Sequence, residues 1–139
     1  MKTRLFADTN IILDLLGQRL PYYYPIAKIA TLAEKEEISL VVSPLSYATV
    51  NYFLTKYQSR AIAIDKLRKF KLIAEICELN SQIIEIGLNS DFKDFEDALQ
   101  YFSAIKSNCS VILTRNKKDF KKSDISIMTA DEFLAARND

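Results

Sequence analysis

The sequence predicts an α/β protein, a three-layer α/β/α sandwich with a central parallel sheet. Three observations lead there. Short apolar runs alternate with stretches of helical periodicity, which is the pattern of βα units. The chain has only two Gly and three Pro, so it is helix-rich. Its 139 residues, 49% of them hydrophobic, suffice for one core, and we expect residues 1–139 to form a single domain.

The elements follow in order. Arg4 to Ala7 is a short apolar run that stops at Asp8, read as a strand, and Ile11, Ile12, Leu15 and Leu16 recur with helical spacing after it. Pro25 opens a second helical stretch through Glu36. Leu40 to Val42 is a compact β-rich run, and Pro44 sits at a first-turn position for a helix reaching about Tyr57. Arg60 to Phe70 is a charged amphipathic helix, Ala74 to Leu79 a strand, Ser81 to Leu88 a short helix and Phe95 to Lys106 a longer one. Ser110 to Leu113 is an apolar strand ending in Thr114. Ser126 to Met128 forms a last short strand, and Thr129 caps a helix from Ala130 to about Arg137.

Composition removes several chemistries. The chain has no His, which excludes Ser-His-Asp hydrolysis, His-pair RNA cleavage and His-ligated zinc. Two glycines cannot write a Gly-rich phosphate loop. Cys77 and Cys109 are far apart in apolar surroundings and read as buried thiols in a reducing compartment. The N-terminal stretch is interrupted by Arg4, Asp8, Asn10 and Asp14, unlike a signal peptide, and no apolar run of about 18 residues occurs, so we expect no membrane span and a cytoplasmic location. Nineteen Lys and Arg against 18 Asp and Glu leave a net charge of +1, so any case for nucleic acid rests on local clusters.

In a parallel sheet ligands sit at the carboxyl ends of strands. That rule selects Asp8 after the first strand, Ser43 after the second, and Thr114, Arg115 and Asn116 after Leu113. Asp8 also fits a helix N-cap, as does Asp94 before Phe95. A cap explains Asp97 less well, because Glu96 already supplies first-turn charge and Asp97 adjoins the apolar run begun by Ala98. The segment from Thr114 to Phe120 places a hydroxyl, an amide, the Asp119 carboxylate and the cations Arg115, Lys117 and Lys118 within seven residues; Lys121 and Lys122 follow. Carboxylates converging at one sheet edge repel unless a cation intervenes, and Mg²⁺ or Mn²⁺ needs only oxygen ligands. Arg115, Lys117, Lys118 and the Thr114 hydroxyl would then meet a nucleic-acid backbone. A second basic cluster, Arg60, Lys66, Arg68, Lys69 and Lys71, reads as a solvated helix face.

Taken together and in order, Phe6-Ala7-Asp8-Thr9-Asn10-Ile11-Ile12-Leu13-Asp14, Ser43-Pro44-Leu45-Ser46, Asp94-Phe95-Glu96-Asp97-Ala98-Leu99-Gln100 and Thr114-Arg115-Asn116-Lys117-Lys118-Asp119-Phe120 resemble the PIN-domain family. The likeness is strongest to its VapC-like members, ribonuclease toxins of bacterial toxin–antitoxin pairs. The resemblance implies a PIN-like fold, Mg²⁺ or Mn²⁺ at a carboxylate cluster, and endonucleolytic cleavage of single-stranded RNA by a metal-held water. It also implies an antitoxin partner and a homodimer. By the same resemblance Asp8, Asp97 and Asp119 are metal ligands and catalytic acids, Asn116 stands where many members carry another Asp, and Thr114 steadies the loop. The pattern departs in the middle. Many members carry a Glu on the helix after the second strand, whereas Ala48-Thr49-Val50-Asn51 offers no acid.

That departure supports a competing expectation, a PIN-like module that binds RNA or a protein partner without cutting. The tyrosines Tyr22-Tyr23-Tyr24 would serve such a partner, or a homodimer, unless they simply pack the local loop. A phosphotransferase using Asp8 as nucleophile is disfavoured, because Asn10 stands where a phosphatase would need a second acid.

Overall fold

The computed structural model describes residues 2–120 and 123–137. Five strands, β1 (Thr3–Ala7), β2 (Ile38–Val42), β3 (Ala74–Ile76), β4 (Val111–Leu113) and β5 (Ser126–Met128), form one sheet in the order β3-β2-β1-β4-β5. Every pairing is parallel. Six helices lie between them, α1 (Thr9–Leu16), α2 (Tyr23–Glu34), α3 (Pro44–Tyr57), α4 (Arg60–Lys71), α5 (Ser81–Leu88) and α6 (Phe95–Lys106), and α7 (Ala130–Arg137) follows β5. The α/β/α sandwich expected from the sequence is the fold observed.

Side-chain alternation along the strands sorts the core into two layers. Leu5, Ala7, Leu40, Val42, Val111 and Leu113 face a cluster with buried residues of α1, α2, α3, α4 and α7, such as Ile12, Ile29, Val50, Leu67 and Phe133. Phe6, Val41 and Ile112, the residues between them, face the opposite cluster with Tyr101 and Ala104 of α6 and with Phe120. Strands covered on both faces are apolar throughout, which is why they read as runs rather than as alternation. Both cysteines are buried free thiols, and burial pushes Cys109 up to about 12. Among the described residues no helix is long and apolar enough to cross a membrane.

Several boundaries differ from the sequence reading. Helix α2 begins at Tyr23, before Pro25, because the first turn of a helix has no acceptor for its N–H groups and a proline there loses nothing. The same helix stops at Glu34, and Glu36 lies in the left-handed region at φ 61°. Strand β3 ends at Ile76 rather than Leu79, since Asn80 turns away to cap α5 by accepting from the Ile83 N–H at 3.1 Å. Lys117–Phe120 forms a 3₁₀ turn. Thr129 caps α7 reciprocally: its hydroxyl accepts from the Glu132 N–H at 3.2 Å, and Glu132 accepts from the Thr129 N–H at 2.9 Å.

Candidate active site at the strand carboxyl edge

From β1 the chain runs to β2 on one side, while β4 lies on the other, so the sheet reverses its order between β1 and β4. A crevice forms at such a switch point. The register pairs Ala7 with Leu113, making Asp8 and Thr114 the next residues out on adjacent strands. The Thr114 hydroxyl donates to Asp8 Oδ2 at 2.8 Å and accepts from the Asn116 N–H at 3.1 Å. One threonine thus ties the first acid to the loop that carries Asn116. Asp8 precedes α1 in extended backbone, but its side chain makes no capping bond, so the N-cap reading of that carboxylate does not hold.

Helix α6 brings its acids from the other side. Asp94 accepts from the Asp97 N–H at 3.0 Å and is the cap expected of it. Asp97, one turn along, is partly buried; burial first, then the charges of Asp94, Asp119, Asp8 and Glu96, push its carboxyl up to about 7. Asp8 is also raised by burial, against the stabilising Thr114 hydrogen bond and with a further push from Asp119. The charge of Asp119 therefore reaches both Asp8 and Asp97, and that of Asp8 reaches Asp97. Asp119 itself is exposed on the 3₁₀ turn, which is anchored by the buried ring of Phe120 against Phe92 at 6.3 Å.

Glu96 is a site residue that the sequence reading assigned only to first-turn charge. Its Oε1 accepts from the Thr9 hydroxyl and from the Gln100 side-chain amide, each at 3.4 Å. The Thr9 hydroxyl also bonds Ser46 Oγ at 2.8 Å, and the Thr9 N–H donates to Gln100 Oε1 at 3.2 Å. Thr9, Ser46 and Gln100 are all buried. The signal available in the sequence was Gln100, four residues after Glu96 and therefore on its helical face, a polar residue inside an otherwise apolar stretch.

The cations are arranged differently from expectation. Arg115 does not extend as a free phosphate ligand: its Nε donates to Asp14 Oδ2 at 2.7 Å, a second nitrogen reaches Asp14 Oδ1 at 3.3 Å, and its guanidinium lies 4.2 Å from the centre of the Tyr22 ring. Asp14 is completely buried and Arg19 adds a contact at 3.4 Å, so the loop after β4 is locked to α1 by a partly exposed guanidinium on a buried carboxylate. Burial still outweighs both guanidinium groups and holds the Asp14 carboxyl above its ordinary range. Lys117 pairs with Glu132 at 2.9 Å on the surface, and Lys118 is exposed. Lys121 and Lys122 lie outside the described residues. Tyr22 and Tyr24 are both exposed, and Tyr22 lies against the Arg115 guanidinium rather than only within its own loop.

The contrast between these acids is informative. Asp14 is compensated by arginines, whereas the contacts that hold Asp8 and Glu96 come from hydroxyl and amide groups. No ion pair to Asp8, Glu96 or Asp97 occurs among the described residues. An all-oxygen set of carboxylates without a counter-cation has the chemistry of a Mg²⁺ or Mn²⁺ site. Asp8, Asp97 and Asp119 do not, however, close into a three-carboxylate cage: among the described residues no three such groups are gathered tightly enough to enclose an ion. The donor set therefore fits a cation that keeps several waters and takes one or two carboxylates directly.

The doubly wound sheet and its acidic switch point define an α/β protein with an oxygen-donor site at the strand carboxyl edge. The PIN domain family model matches residues 4–118, and the chain belongs to that family. It is 31% identical over 141 residues to the Ribonuclease VapC1 of Aquifex aeolicus, covering 97% of this chain and 96% of that one. Among solved structures it resembles a toxin–antitoxin complex from Klebsiella pneumoniae, with TM-score 0.68, 23% identity and coverage of 92% of this chain and 98% of that one. It also resembles VapBC2 from Rickettsia felis bound to a promoter DNA fragment, with TM-score 0.67, 19% identity and coverage of 91% and 98%.

Proposed function

We propose that the protein is a Mg²⁺- or Mn²⁺-dependent endoribonuclease that cuts single-stranded RNA, acting as the toxin of a toxin–antitoxin pair. The observation that carries the reading is the set of acids Asp8, Glu96, Asp97 and Asp119, without an ion pair among the described residues, at the switch point of a PIN-family sheet. Similarity to a relative named as a ribonuclease and to solved toxin–antitoxin complexes supports the substrate class and an antitoxin partner. A homodimer belongs to the same reading.

Asp8 and Asp97 would hold the cation, with Asp119 and Asn116 on the adjoining loop completing its surroundings. When bound, the cation supplies charge compensation, polarises a phosphate oxygen and makes water a stronger nucleophile. Thr114 fixes the Asp8 carboxylate by donating to Oδ2 and holds the Asn116 backbone by accepting its N–H. The Arg115–Asp14 pair holds the same loop against α1. Lys117 and Lys118 stand on the exposed rim, where an ammonium group meets a phosphate backbone by charge alone.

The deciding experiment is cleavage of a labelled single-stranded RNA by the purified, antitoxin-free protein in Mn²⁺, in Mg²⁺ and in chelator, beside Asp8→Asn. Product that requires both metal and Asp8 is the expected result. A second reading, an RNA- or protein-binding module without catalysis, is favoured by the absence of any acid on α3. No product, together with RNA affinity indifferent to metal, would select it.

A further inference from the structure

We propose that Glu96 is a further carboxylate beside the cation site, acting through the waters the ion keeps rather than as a third direct ligand, delivered by α6 to a place that α3 faces without an acid. The inference rests on the reading of this edge as a divalent-cation site and adds to it a residue specific to this arrangement.

The placement comes from the helix start. With Asp94 holding the first turn through the Asp97 N–H, successive residues fan out at 3.6 per turn, so Glu96 and Asp97 point in different directions. Glu96 shares its face with Gln100, and that face meets Thr9, the residue after Asp8. Gln100 is oriented rather than free to rotate. Its Oε1 accepts the Thr9 N–H, so its Nε2 is the atom presented to Glu96. The Thr9 hydroxyl is similarly arranged, because Ser46 on one side lets it donate to Glu96 on the other. Two neutral donors, each fixed by a buried partner, therefore converge on one oxygen of one carboxylate.

A cradle of that kind aims an acid without neutralising it. Where this chain buries a carboxylate for structure, at Asp14, it supplies arginines. At Glu96 it supplies only hydroxyl and amide hydrogens, in a position close to Asp8 and Asp97. Such an arrangement is unfavourable for the metal-free protein and favourable once a cation arrives. Helix α3 contributes no acid of its own, and its first turn offers Ser46 to the Thr9 hydroxyl that Glu96 also touches. The site thus draws two adjacent acids from α6 and none from α3.

The test is Mn²⁺ binding by the full-length protein, followed by the electron paramagnetic resonance signal of the free ion and by the Mn²⁺-dependent rise in Tm. Glu96→Gln, Glu96→Asp, Asp8→Asn and Asp97→Asn are compared with wild type, and Glu85→Gln, exposed on α5, is the control. Glu96→Gln is expected to weaken Mn²⁺ about tenfold or more. Its Tm without metal should equal or exceed that of wild type, and Glu85→Gln should bind as wild type does. Glu96→Asp keeps the charge and should retain more affinity than Glu96→Gln. If the role were only to accept hydrogen bonds, Gln would serve better than Asp, and that order would overturn the proposal. Unchanged Mn²⁺ binding by Glu96→Gln, with loss in Asp8→Asn and Asp97→Asn, would overturn the role of Glu96 and leave the cation site standing. Absence of Mn²⁺ binding by wild type would overturn both.

Discussion

Asp97 is the residue on which most of the negative charge bears: Asp94, Asp119, Asp8 and Glu96 all raise it, after burial, to about 7. Its pKa in the folded chain is above that of an unfolded aspartate, so its contribution to stability is fully present below about pH 4 and is lost as pH rises through about 7. Metal-free protein is therefore expected to show a Tm that declines between about pH 4 and 7, the window of that shift, and Mn²⁺ should flatten the decline. A thermal-shift series across pH, with and without Mn²⁺, checks it; Asp97→Asn should decline less steeply than wild type without metal. Arg115 gives a prediction of opposite character. Replacing it with Met leaves Asp14, fully buried, with only the longer contact from Arg19. Urea unfolding should show a loss of about 3 kcal/mol. Arg115→Lys should recover only part of this, because an ammonium group cannot reproduce a contact made through two guanidinium nitrogens.

At the scale of elements, α6 carries the site and its seat depends on Gly87. A Cβ added there would stand 3.1 Å from Leu99 Cδ2 and 3.4 Å from Phe95 Cε1, so the glycine allows α5 to lie against the first turns of α6. Gly87→Val is expected to lower stability by about 1–3 kcal/mol and to displace the turn bearing Glu96 and Asp97. Urea unfolding reads the first effect and Mn²⁺ affinity the second. Much at this scale was legible in the sequence. Pro44, Ser81, Asp94 and Thr129 mark the beginnings of α3, α5, α6 and α7, because caps and prolines act locally. The strand-end rule likewise brought Asp8 and Thr114 to one edge. The roles of Glu96 and Arg115 were not legible, since each depends on a partner about 90 to 100 residues away. Sequence spacing carries no distance between such residues. Glu96 in particular satisfies the preference for acid in a first turn, which hid its second role.

For the whole molecule, a net charge of +1 provides little long-range steering of RNA. With Arg115 committed to Asp14, the phosphate contacts expected from described residues fall to Lys117 and Lys118. Those two contacts should then contribute about −1.4 to the log–log salt slope of RNA binding, roughly 0.7 per phosphate contact on a single strand. Lys117→Ala and Lys118→Ala should each reduce that slope by about 0.7, as measured by fluorescence anisotropy at several salt concentrations. Lys117→Ala should cost less than about 1 kcal/mol of stability, because its pairing with Glu132 is exposed. The contact between Asp8 and Thr114 spans 106 residues, and that between Thr9 and Gln100 spans 91. During synthesis, the ribosome releases the first acid long before the helix and strand that complete its surroundings. A nascent chain is accordingly unarmed until Thr114 and the loop after it have emerged, so the message that encodes it is read past that point before the product could cut it.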